Sequence, residues 1–152
     1  MVTFLLKKSY QLKDLKEVNF QDLWGQHGIF TTMWIFGNPT KILFFDNHMK
    51  NLISSLTKYQ IRNKSIRRII SKVIKKNLSK KINYNHLLRV AINKNIISIS
   101  LRKRVTPKLD FKLQLVNLKR DKPEHKNLKY KKILSYLSKI DNSRFDIGIV
   151  NK

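Results

Sequence analysis

Cysteine is absent. That excludes disulfides and thiolate metal sites and makes a reducing compartment the default expectation. Glycine and proline are scarce, at four and three residues, so there is no low-complexity linker. No apolar run approaches the roughly 20 residues of a membrane-spanning helix. The N-terminus, MVTFLLKKSY, puts its apolar residues before its lysines, the reverse of a secretory signal. The expectation is a cytoplasmic protein with no membrane partner. Acidic residues are also few, 9 against 33 lysines and arginines. The histidines and carboxylates show no metal-ligand spacing, and no glycine loop could cradle phosphate.

What is present suffices for a core. The 152 residues are 41% hydrophobic, and a chain of this size buries roughly two-thirds of its unfolded surface. The net charge is +24. Charge of that size suits a nucleic-acid-binding protein. Against this, lysine far outnumbers arginine, the residue suited to bidentate phosphate and base contacts. The composition reading is therefore preferred, and a small basic nucleic-acid-binding protein remains the alternative.

The patterning is α+β, with antiparallel hairpins and two to three helices. Met1 to Leu6 reads as a strand, and Tyr10 to Phe20 as a loop with a helical turn. Ile29 to Phe36 and Ile42 to Phe45 read as a hairpin turning at Gly37-Asn38-Pro39. Asp46 is the expected N-cap of a helix carrying Met49, Leu52, Ile53 and Leu56. Ser65 is the expected cap of a second, with an apolar stripe through Ile66, Ile69, Ile70, Val73, Ile74 and Leu78. Its opposite face bears Arg68, Lys72, Lys75 and Lys76 and reads as solvated, and no aromatic platform stands beside it. Leu87 to Ile92 and Ile96 to Leu101 form a second hairpin around Asn93-Lys94-Asn95. Phe111, Leu113 and Leu115 alternate as a strand. A third helical stripe runs from Tyr130 to Ile140, and Phe145 to Val150 is a last strand.

Three segments in order resemble the class IV aminotransferases, the fold-type IV enzymes of pyridoxal 5'-phosphate. They are Gly28-Ile29-Phe30-Thr31-Thr32 leading to Asp46-x-His48, then Leu88-Arg89-Val90, then the stretch from His125 to Lys152. The family includes branched-chain aminotransferases and aminodeoxychorismate lyases. The resemblance implies residues 1–120 as an N-terminal α+β domain. It implies residues 121–152 as the lysine-bearing segment and the start of an incomplete, truncated second domain.

It further implies Lys126 as the catalytic lysine that holds the cofactor, with transaminase or lyase chemistry on an amino-acid or amino-chorismate type substrate. Intact relatives work as homodimers. Asn51 stands where the family has an arginine for the cofactor phosphate, so it offers a hydrogen bond but no charge. Lys129 stands where asparagine is common, and a second ammonium there would lower the pKa of Lys126. The family's later glutamate and phosphate turns have no counterpart, so the isolated chain is expected to be inactive unless a separate C-terminal chain completes it. His48 reads as a structural histidine at a helix end, and His125 as a neutral loop histidine rather than a proton shuttle.

Overall fold

The structure, a computed structural model, describes residues 4–61, 64–106 and 108–140, with the backbone alone at 111 and 146–151. The elements run β1 (Phe4–Gln11), β2 (Glu17–Val18), β3 (Gly28–Gly37), β4 (Lys41–Ile42), α1 (Phe45–Lys58) and α2 (Ile66–Asn77). They continue with β5 (Tyr84–Asn93), β6 (Ile96–Lys103), β7 (Phe111–Val116), α3 (Lys131–Ser138) and β8 (Asp146–Asn151). Two β-branched and aromatic runs, β3 and β5, pair antiparallel along their whole length. They lie side by side in a six-stranded sheet ordered β2-β1-β6-β5-β3-β4.

Alternation assigns the two sides of that sheet. Ile29, Met33 and Ile35 of β3, Leu88, Val90 and Ile92 of β5, and Ile97, Ile99 and Leu101 of β6 are all buried on one side. α1 and α2 cover that side with Met49, Leu52, Leu56, Ile66, Ile70, Val73 and Ile74, making one core. Both helices hold because a 3.6-residue apolar stripe meets a period-2 apolar face. The β5–β6 turn closes on Asn93, whose Oδ1 accepts from the amides of Asn95 and Ile96 at 2.9 and 2.7 Å.

Several boundaries differ from expectation. β1 does not stop at Leu6. It runs to Gln11 because Tyr10 reaches the core and the strand keeps pairing with β6. The segment expected as a loop with a helical turn instead contains β2, paired to Ser9 and Tyr10. Phe45 belongs to α1, not to the hairpin. Asp46 is not the cap, since the helix starts at Phe45 and the cap is Phe44, two residues earlier, with φ +50°. The reason is that Leu43 N–H still donates to the Trp34 carbonyl at 3.0 Å, which holds the hairpin up to the helix. Asp46 sits in the first turn, where its charge suits the helix dipole, and pairs with Arg67 of α2. The last strand begins at Asp146, and the expected start at Phe145 lies outside the described residues.

β7 joins β8 rather than the large sheet. The two are parallel, and α3 lies between them in sequence, the connection a parallel pair requires.

Candidate active site

The segment carrying Lys126 is fastened to the start of β3. Phe30 N–H donates to the Lys126 carbonyl at 2.8 Å, Leu128 N–H to the Gly28 carbonyl at 2.9 Å, and Gly25 N–H to the Leu128 carbonyl at 2.7 Å. Residues 126–128 thus extend the sheet edge at the end of β3 that β4 leaves free. Gly28 permits this. A Cβ there would lie 2.3 Å from the Ile92 carbonyl oxygen and 2.7 Å from Leu128 Cδ1. Trp24, Phe30 and Tyr130 pack ring against ring at 4.9 to 5.7 Å and hold the start of α3 against the sheet. Arg89 braces Trp24, its guanidinium 4.4 Å from the ring and bonded to Asp22.

This edge and α1 enclose a cavity of about 410 Å³. Both sequence-derived site residues, Lys126 and Asn51, line it, together with Thr31, His48, Ser54, Ser55, Glu124 and His125. Lys126 and Asn51 are exposed, so the cavity is open on their side. His48, Asn51 and Ser55 recur at i, i+3 and i+7, one face of α1. His48 Nδ1 lies 2.9 Å from Thr31 Oγ1, tying helix to strand. Burial first, and then the Lys126 ammonium, lower the His48 pKa below its usual 6.5. The ring is neutral at pH 7. His125 is buried, with Nδ1 3.3 Å from Ser55 Oγ and Nε2 3.5 Å from Glu124 Oε1. His48 makes the structural contact expected of it, and both histidines face the cavity.

The Lys129 ammonium pairs with Asp121 Oδ2 at 2.9 Å. That hydrogen bond, with the charge of Asp121, raises the Lys129 pKa.

The residue pattern decides the family. The class IV aminotransferase family model matches residues 28–151, most of the chain. The chain belongs to the class IV aminotransferases. Among solved structures, this class IV chain is similar in fold to a hypothetical aminotransferase from Mycobacterium tuberculosis in its apo form, with a TM-score of 0.55 and 11% identity. The match covers 97% of this chain and 62% of that one, so the chain spans less than two thirds of that protein's length. No curated protein matches the sequence. Among the described residues there is no cluster able to hold a metal ion and no helix long and apolar enough to cross a membrane.

Sequence reading missed Thr31, Ser54, Ser55 and Glu124. Two signals were available. Ser54 and Ser55 follow Asn51 at i+3 and i+4, and Thr31 is the one polar residue on the inward side of β3. The class IV cavity offers an amine, an amide, two serine hydroxyls and one carboxylate among its described lining residues. Class IV aminotransferases generally depend on pyridoxal phosphate, and this donor set fits that group: an amine for its aldehyde, amide and hydroxyl donors for its phosphate.

Proposed function

We propose that this chain forms the cofactor-lysine wall of a pyridoxal-phosphate enzyme of transaminase or aminodeoxychorismate-lyase type, acting on an amino-acid or amino-chorismate type substrate. One observation carries the reading. The Lys126 backbone is fixed to Phe30, so its side chain lines the same cavity as Asn51, His48 and Thr31. When bound, the cofactor would supply an electron sink for the substrate's carbanion character.

The roles of this chain's own residues follow from their chemistry. Lys126 would provide the amine that holds the cofactor aldehyde, and its Nζ is the group that could move a proton. Asn51, with the hydroxyls of Ser54 and Ser55, would supply donors for the phosphate oxygens. Neutral His48 holds Thr31 and α1 in register and leaves Lys126 the nearer cation.

The lysine-bearing segment 121–152, with β7, opens a second lobe. Leu113 and Leu115 of β7 are 63% and 66% exposed. That apolar face supports a further layer closing the cleft, from a longer chain, a separate C-terminal chain or a homodimer partner. The chain alone is then expected to turn over no substrate. The lack of cysteine supports a cytoplasmic setting.

The test is borohydride trapping with pyridoxal phosphate followed by peptide mass spectrometry. The expected result is labelling of Lys126 at concentrations that leave the other lysines unmodified. Labelling spread evenly over surface lysines would end the proposal.

A further inference from the structure

The side of the six-stranded sheet turned away from α1 and α2 meets the lysine cleft at Phe30 and runs on beyond it. One end is covered, where Leu23, Trp24 and Leu128 pack around Ala91 and Ile96. The other end is open. There Trp34 and Phe36 of β3 pair with Leu87 and Asn85 of β5, and Arg102 of β6 stands opposite Leu87. The Trp34 and Phe36 rings are 4.8 Å apart. Trp34 Nε1 donates to Asn85 Oδ1 at 2.9 Å, which fixes the indole. The Arg104 guanidinium lies 4.5 Å from the Trp34 ring centroid. Trp34, Phe36, Arg102 and Arg104 are all partly exposed. Across the sheet Phe4 stands opposite Arg102, with the Lys7 ammonium 4.3 Å from its ring. β1, β3, β5 and β6 contain no acidic residue at all.

We propose that this open end of the sheet binds single-stranded nucleic acid. Base faces stack on aromatic rings and guanidinium planes with little regard to sequence, while flanking cations follow the phosphates. Both components are here on one rigid surface, and the indole is already held by Asn85, so little ordering is required on binding. Charge selects the occupant. A second copy would bring another +24 chain against a face with no carboxylate on its strands, which opposes self-association. A polyanion gains from the same field and from counterion release. A duplex offers no free base faces to the rings, so the geometry favours unpaired strands.

The test uses the full chain and a labelled oligouridine strand, compared with a duplex of equal length, by fluorescence anisotropy across a KCl series. The single strand is expected to bind more tightly, with affinity falling steeply as salt rises. Arg102→Gln combined with Arg104→Gln should weaken binding at least about tenfold. Trp34→Leu should weaken it at least about fivefold, and Trp34→Phe should retain it. Lys72→Gln combined with Lys75→Gln removes the same charge from the far side of the molecule and should cost less than about threefold. Circular dichroism establishes that each variant is folded, and if Trp34→Leu is not, the arginine pair decides. Equal losses from the two double variants, tighter binding to the duplex, or no binding at all would overturn the proposal. So would a chain that self-associates through this face, with an oligomeric state that the arginine variants change.

Discussion

The amide of Phe30 donates to the carbonyl of Lys126 across 2.8 Å, joining residues far apart in sequence at the mouth of one cavity. What lets the strands come so close is the neighbouring glycine. Gly28→Ala would press a methyl into the Ile92 backbone and Leu128. Backbone cannot yield as a flexible side chain does, so a cost near the top of the overpacking range is expected, about 2–3 kcal/mol. Urea denaturation measures it, and hydrogen exchange at the Phe30 amide should quicken as the 126–128 segment lifts away.

Lys126→Arg separates chemistry from folding. The side chain is exposed, so stability should change by no more than about 0.5 kcal/mol. The borohydride-trapped adduct at that position should vanish, because a guanidinium does not bond the aldehyde. Thermal denaturation and peptide mapping give the two readouts on the same sample.

Asn51 lines the cavity as a neutral donor. Asn51→Arg adds a charged fork, and charged hydrogen bonds exceed neutral ones by about 1 kcal/mol. Binding of pyridoxal phosphate should tighten about fivefold, by calorimetry. The gain should be smaller for pyridoxal without its phosphate, and an equal gain for both would place the new arginine away from the phosphate.

Burial lowers the pKa of His48, assisted by the Lys126 charge, and burial likewise lowers that of His86. A histidine depressed in the folded state binds its proton first in the unfolded chain, so acid favours unfolding. The stabilisation is complete above the ordinary value of 6.5. It is lost as pH falls through the lowered values. His48→Gln should flatten the fall in urea midpoint below that pH and leave the part due to His86. An unchanged pH profile would show that the ring is solvated.

Ile70 is fully buried in the α2 stripe, whereas Lys72 is exposed. Ile70→Ala should cost about 2–5 kcal/mol by denaturant unfolding. Lys72→Ala should stay within about 0.5 kcal/mol.

Much of this was readable in advance where a local pattern is itself the cause of the structure. The alternation from Ile29 to Phe36 makes β3 because one face must be buried, and the stripe from Ile66 to Ile74 makes α2 for the same reason. The turn at Asn93 follows from a side chain that bonds its own neighbours. Helix starts were less legible. Asp46 is a good cap by type, but the hairpin's last hydrogen bond set the boundary at Phe44.

The sequence by itself determined the period of each segment and the family pattern from about Gly25 onward. Only the tertiary structure decided which residues meet. It brought Lys126 to Thr31, His48 and Asn51, turned Lys129 to Asp121, and paired β7 with β8 instead of with the large sheet. It also gathered Trp34, Phe36, Arg102 and Arg104 on one open surface. Local periodicity says which side of an element is apolar, because burial acts on each side chain in turn. Which edge a segment joins depends on contacts between positions many tens of residues apart, and no local pattern carries that choice.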